Sequence, residues 1–94
     1  MIKWEYHDYR PEGFESWSAK WKTDYELTVY RIGENRYSIG WHHKGIRVIK
    51  DYISANDWDE AKECAIARVK NYFYKMTSYW QAMRTGFTKW ITEE

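Results

Sequence analysis

The chain of 94 residues has one cysteine, one proline and five glycines. The single Cys64 excludes an intrachain disulfide, so stability must come from an ordinary core, and the sequence fits a reducing compartment. Its neighbours mark it as a small residue at the edge of a helical apolar face. With only five glycines, there is no Gly-rich phosphate loop and no elbow-like glycine pattern around a nucleophilic serine. No apolar run approaches the ~20 residues of a membrane span. The N-terminus, Met1-Ile2-Lys3-Trp4-Glu5, does not read as a secretory signal. Net charge is also lacking. Fifteen Lys and Arg stand against 14 Asp and Glu, which removes the bulk field of a general nucleic-acid binder or a DNA mimic. These absences predict a single cytoplasmic domain over residues 1–94, with no membrane contact and no cofactor.

Aromatic residues are abundant: seven Trp, nine Tyr and three Phe. A core of this size cannot enclose all 19, and surplus Trp and Tyr at a surface are characteristic of binding interfaces. Alternation of apolar and polar residues marks strands. Ile2, Trp4 and Tyr6 suggest the first, and Trp17, Ala19 and Trp21 the second. Tyr25, Leu27 and Val29 form a third, and Tyr37, Ile39 and Trp41 a fourth. The run from Ile46 to about Ile53 is the fifth. Pro11 and Gly13 mark a loop, Gly33-Glu34-Asn35-Arg36 a hairpin turn, and Lys44-Gly45 a two-residue hairpin. A regular ladder from that last turn would set Trp41 opposite Val48 and Tyr37 opposite Tyr52. Those residues, with Ile39 and Ile46, would then face the core. Arg36, His42 and Arg47, with Ile49 and Ile53, would lie on the other side.

From Asp57 to about Ile91 the period changes to 3.6, with Trp58, Ala61, Ala65, Ile66, Val69, Tyr72, Phe73, Met76, Tyr79, Trp80, Met83, Phe87, Trp90 and Ile91 on one face. Asp57 is placed to cap this helix, with Glu60 three residues on. The expectation is therefore an α+β fold: an antiparallel β-meander of four to five strands over residues 1–55, packed against one long C-terminal helix over 57–91. That helix would span roughly 50 Å, against roughly 27 Å for an eight-residue strand. Its last third must break near Thr77-Ser78 or Gly86 and fold back, be covered by the N-terminal segment, or be covered by a second copy as a homodimer. Tyr79, Trp80, Met83, Phe87 and Trp90 in that last third are the expected protein-interaction residues.

Catalytic and metal chemistry finds little footing. His42 and His43 are adjacent on a strand and point to opposite faces, and with His7 they are the only histidines. Asp57, Asp59 and Glu60 are accounted for by helix capping. The expectation is no enzyme, no metal and no catalytic residues. Charge is uneven, however: residues 36–55 carry Arg36, Lys44, Arg47 and Lys50 against Asp51 alone. Arg36, His42, Lys44 and Arg47, set among Trp and Tyr, are candidate nucleic-acid contacts.

Several short motifs resemble a loose group of small phage and prophage proteins: Trp17 and Ala19, Tyr30-Arg31-Ile32, Tyr37, and Asn56-Asp57-Trp58-Asp59-Glu60-Ala61-Lys62. The resemblance covers roughly residues 15–75. It implies a non-enzymatic inhibitor or adaptor, similar to anti-CRISPR proteins, that binds a host defence protein such as a CRISPR effector complex in the bacterial cytoplasm. Two further expectations stand beside it: a nucleic-acid-binding accessory protein using the basic hairpin 36–50, and a structural or regulatory homodimer through the C-terminal aromatic cluster.

Overall fold

The computed structural model describes residues 2–75 and 81–92, with the backbone alone at 81–84. Strands β1 (Glu5–Asp8), β2 (Glu15–Trp21), β3 (Tyr25–Gly33), β4 (Arg36–His43) and β5 (Ile46–Ser54) precede helices α1 (Trp58–Tyr74) and α2 (Gln81–Thr92). The strands form one antiparallel meander in the order β1-β2-β3-β4-β5. The expected α+β architecture is therefore present, with the helical layer on one face of the sheet. Among the described residues, no helix is long and apolar enough to cross a membrane.

The turns follow local chemistry. Asn35, at φ 55°, takes the left-handed position that follows β3. Lys44 (φ 52°) and Gly45 (φ 79°) are both left-handed, the geometry of a tight two-residue hairpin. Lysine is a poor residue for that conformation, and its N–H is tied to Asp24 O at 2.7 Å, which holds the turn in place.

The register of β5 departs from the regular ladder. Pairing starts as the turn dictates, with Ile46 opposite His43 and Arg47 opposite His42. It then shifts by one, so that Trp41 pairs with Ile49 and Tyr37 with Ile53. Val48 is the extra residue of a β-bulge, and every side chain beyond it changes face. Ile49 and Ile53 therefore pack against the core, while Ile46, Val48 and Tyr52 are 71%, 44% and 57% exposed. This corrects the β5 part of the expected core face, while Tyr37, Ile39 and Trp41 of β4 are buried as expected. The bulge turns two isoleucines inward and turns Lys50 and Tyr52 outward, next to Arg47. Two branched aliphatic chains gain more from a dry interface than a tyrosine and a lysine would.

Helix α1 starts as its sequence indicates. Asp57 Oδ1 accepts from the Glu60 N–H at 2.8 Å, and Glu60 Oε2 reaches back to the Asn56 amide. The buried stripe is Ala61, Ala65, Val69 and Phe73, at steps of four. The small alanines let the helix lie close to the sheet, and Phe73 enters the aromatic centre.

Of the three expected ways to cover the surplus helix, the break with fold-back is the one formed. α1 ends at Tyr74, with Lys75 as its C-cap, and α2 is a separate helix that runs straight through Gly86. Of the two expected break points, Gly86 is thus not used and Thr77-Ser78 lies outside the described residues. In a continuous helix Phe73 and Phe87 would lie roughly 21 Å apart. Their ring centroids are 5.4 Å apart. Both rings meet Trp21 and Trp41 edge-on, and Trp90 stacks on Trp21 at 6.0 Å. The chain therefore doubles back, and α2 closes the core over the Trp21 end of the sheet. Gly86 sits against the Trp21 ring, where a Cβ would come within 3.3 Å of Cζ2.

Candidate binding face

Both helices pack on the same side of the sheet, so the opposite side is open. Its floor follows from the register. Three rows of side chains cross it: Ser16-Tyr30-Ser38-Tyr52, Ser18-Thr28-Gly40-Lys50, and Lys20-Glu26-His42-Arg47. The first row alternates short and tall. Ser38 is the floor of a slot walled by Tyr30 and Tyr52, which stand two strands, roughly 10 Å, apart. Ser16, Ser18, Thr28 and Ser38 are at most 6% exposed although no helix covers them, because the taller neighbours enclose them.

Two depressions result. One, of about 460 Å³, is formed by Phe14, Tyr30, Ile32, Ser38, Arg47, Lys50 and Tyr52. The other, of about 260 Å³, is polar and lies toward β1, with Ser16, Ser18 and Thr28 beneath His7, Tyr9, Lys20, Glu5 and Glu26. Tyr30 borders both. Charge on the open face is thus uneven: Arg47 and Lys50 stand on the β4–β5 side with no carboxylate among the described residues of their depression, whereas Glu5 and Glu26 outnumber Lys20 on the β1–β3 side.

Gly40 lets the centre of the face close up. A Cβ there would lie 2.9 Å from Thr28 Oγ1, 3.0 Å from His42 Nε2 and 3.2 Å from Arg47 Nε. Thr28 Oγ1 also lies 3.4 Å from both Gly40 O and His42 Nε2. Burial, reinforced by the adjacent Arg47 and opposed by Glu26, holds the His42 imidazole below its ordinary pKa. At neutral pH the positive charge here belongs to Arg47 and Lys50.

His7 Nε2 lies 2.9 Å from Ser18 Oγ, and the imidazole stacks on Tyr9. This is the spacing of a nucleophile and a base. The surroundings do not complete such a site. Ser18 sits inside β2, paired with Glu5 on one side and Thr28 on the other, so its peptide groups belong to ladders and leave no free N–H pair for an oxyanion. Among the described residues, no cluster of three His, Cys, Asp or Glu could hold a metal ion. His42 and His43 diverge, as adjacent strand residues must: His43 stacks on Tyr25 at 4.3 Å, away from the open face.

On the helix side, Lys62 of α1 lies 3.8 Å over the Trp17 ring and 5.3 Å from that of Trp4. Burial shifts its ammonium below the usual lysine value. This contact ties Trp17 of β2 and the preceding Trp4 to α1.

The residues expected to form binding surfaces are distributed as follows. His42 and Arg47 are cross-strand partners on the open face. Arg36 shares that face at the opposite end of β4, and Lys44 is at the hairpin tip. In the C-terminal set, Phe87 is 1% exposed and belongs to the core, and Trp90 is half-buried against Trp21 and Phe87. Those two therefore supply folding contacts and not a free surface, because α2 returns to the sheet. Tyr79 and Trp80 fall outside the described residues, as does the Met83 side chain. The sequence reading missed Phe14, Tyr30, Lys50 and Tyr52. The available signal was the short hydroxyl residues Ser16, Ser18, Thr28 and Ser38, which recur at a period of two opposite the Trp and Leu positions. Compared with protein-family models, with curated proteins and with solved structures, the chain matches none.

Proposed function

We propose that this is a non-enzymatic accessory protein that binds single-stranded nucleic acid on the basic half of its open sheet face. The observation that carries this reading is the slot of Tyr30, Ser38 and Tyr52, with Lys50 and Arg47 in the two neighbouring rows. A base between two tyrosine rings gains stacking energy of about 1–3 kcal/mol, and adjacent cations hold the phosphates. Small charge at the level of the whole chain is compatible with this, since only a short strand segment fits. The Ser18–His7 pair contributes polarity to the face and no turnover.

The test is fluorescence anisotropy with labelled oligouridine. With two or three phosphates contacted, affinity falls roughly 7- to 20-fold between 50 and 200 mM salt. Tyr52→Ala and the double variant Arg47→Glu/Lys50→Glu each abolish most of the binding. Absence of oligonucleotide binding at low salt refutes the proposal.

A second reading keeps the setting implied by the phage-protein resemblance, in which the partner is a host defence protein, for instance in a CRISPR effector complex. It is favoured by the exposed apolar groups along β5 and beside it, Ile46, Val48, Tyr52 and Phe14. Saturable, salt-insensitive capture of one host protein, abolished by Val48→Asp and Tyr52→Ala, supports this reading over the first. A homodimer through the C-terminal aromatics is the least supported, because Phe87 and Trp90 are already committed to the core.

A further inference from the structure

The polar depression on the far side of Tyr30 has no part in the proposal above. We infer that it is a ribose subsite, through which the face distinguishes RNA from DNA; this rests on the nucleic-acid reading of the adjoining slot. Three observations carry it. First, the depression is the next slot along the same row: Ser16 lies on one side of Tyr30 and Ser38 on the other, each one strand away. A strand whose base stacks on Tyr30 in the basic slot therefore continues into this one. Second, its charge is wrong for phosphate. Glu5 and Glu26 face it with Lys20 as the only full cation, while Ser16, Ser18 and Thr28 supply hydroxyls from below. Third, ionised carboxylates only accept hydrogen bonds, so the complementary ligand group must donate. The vicinal hydroxyls of ribose do so, and an acidic side chain on a ribose 2′-hydroxyl is the recognition used in dinucleotide-binding folds. A protein tells RNA from DNA by that hydroxyl. The volume of about 260 Å³ is small, as suits a single sugar ring.

The experiment compares oligouridine with oligo-2′-deoxyuridine of equal length, on the intact protein and on Glu26→Gln and Glu5→Gln. A hydrogen bond to a charged acceptor predicts that the RNA binds about tenfold tighter or better. Glu26→Gln reduces that preference several-fold, read as the ratio of RNA to deoxy affinity, because loss of a carboxylate one strand from His42 raises the affinity of both strands alike. Glu5→Gln, at an exposed site that tolerates substitution, acts in the same direction. Equal binding of the two strands overturns the ribose subsite and leaves the basic slot standing. An RNA preference that survives both variants overturns the role given to the carboxylates. If neither strand binds, the reading of the face as a nucleic-acid platform fails, and the subsite with it.

Discussion

Replacing Phe87 with alanine removes a ring that is 1% exposed and packed among Trp21, Trp41, Phe73 and Trp90, at centroid distances of 5.7, 5.4, 5.4 and 5.6 Å. The loss combines transfer of the ring to water with the cavity left between neighbours that cannot collapse, because all four are themselves aromatic rings. Phe→Ala changes in such positions cost about 3–5 kcal/mol. A domain of this length has a total stability of roughly 5–14 kcal/mol. The variant should therefore lose a large share of its stability, with Tm lowered by roughly 15–30 °C. Urea unfolding followed by tryptophan fluorescence and far-UV circular dichroism measures this directly, and the two probes should move together. The alternative arrangement, with residues 76–91 as a dimer interface on a self-sufficient sheet and α1, makes the opposite prediction. There Phe87→Ala would leave monomer stability within about 1 kcal/mol, and the midpoint would depend on protein concentration. That result would refute the account of α2 as a core element.

The bulge at Val48 is checked by a pair of substitutions. Ile53→Ala should destabilise by about 1–3 kcal/mol, and Tyr52→Ala should stay within about 0.5 kcal/mol, because Ile53 meets the core and Tyr52 is 57% exposed. A regular ladder would reverse the ranking. His42 offers a pH test. Its folded pKa is depressed below the ordinary 6.5, by burial and then by Arg47, so its contribution to stability is present above pH 6.5 and declines as pH falls through the folded value. Proton NMR titration of the imidazole should show the depressed pKa, and Arg47→Ala should move it upward. No movement would mean that Arg47 does not act on His42.

Local pattern and tertiary contact divided the information in this chain unevenly. Five strands and the start of α1 were legible because each depends on residues close in sequence: period-two alternation, left-handed turn residues, and an Asp57 cap satisfied within one helical turn. The end of α1 was legible only as one of three ways to cover a helix too long for its sheet. The apolar stripe continues at three- and four-residue steps through the reversal, so periodicity alone could not separate one helix from two that share a core.

The binding face shows the same division more sharply. Arg36, His42 and Arg47 could be placed together from strand parity, since the turn at Lys44-Gly45 sets the start of the β4–β5 ladder. Lys50 and Tyr52 could not, because one unpaired residue, Val48, reverses every later side chain in β5. A bulge has no strong composition of its own. It forms where the gain from burying Ile49 and Ile53 under the helices exceeds the loss of one ladder position. The sequence by itself determined the element types, the turns and the surplus of aromatics. Only the tertiary structure decided which aromatics were surplus. Phe87 and Trp90 went inward because the Trp21–Trp41 surface was there to receive them, while Tyr30 and Tyr52 remained outside because both helices occupy the other face.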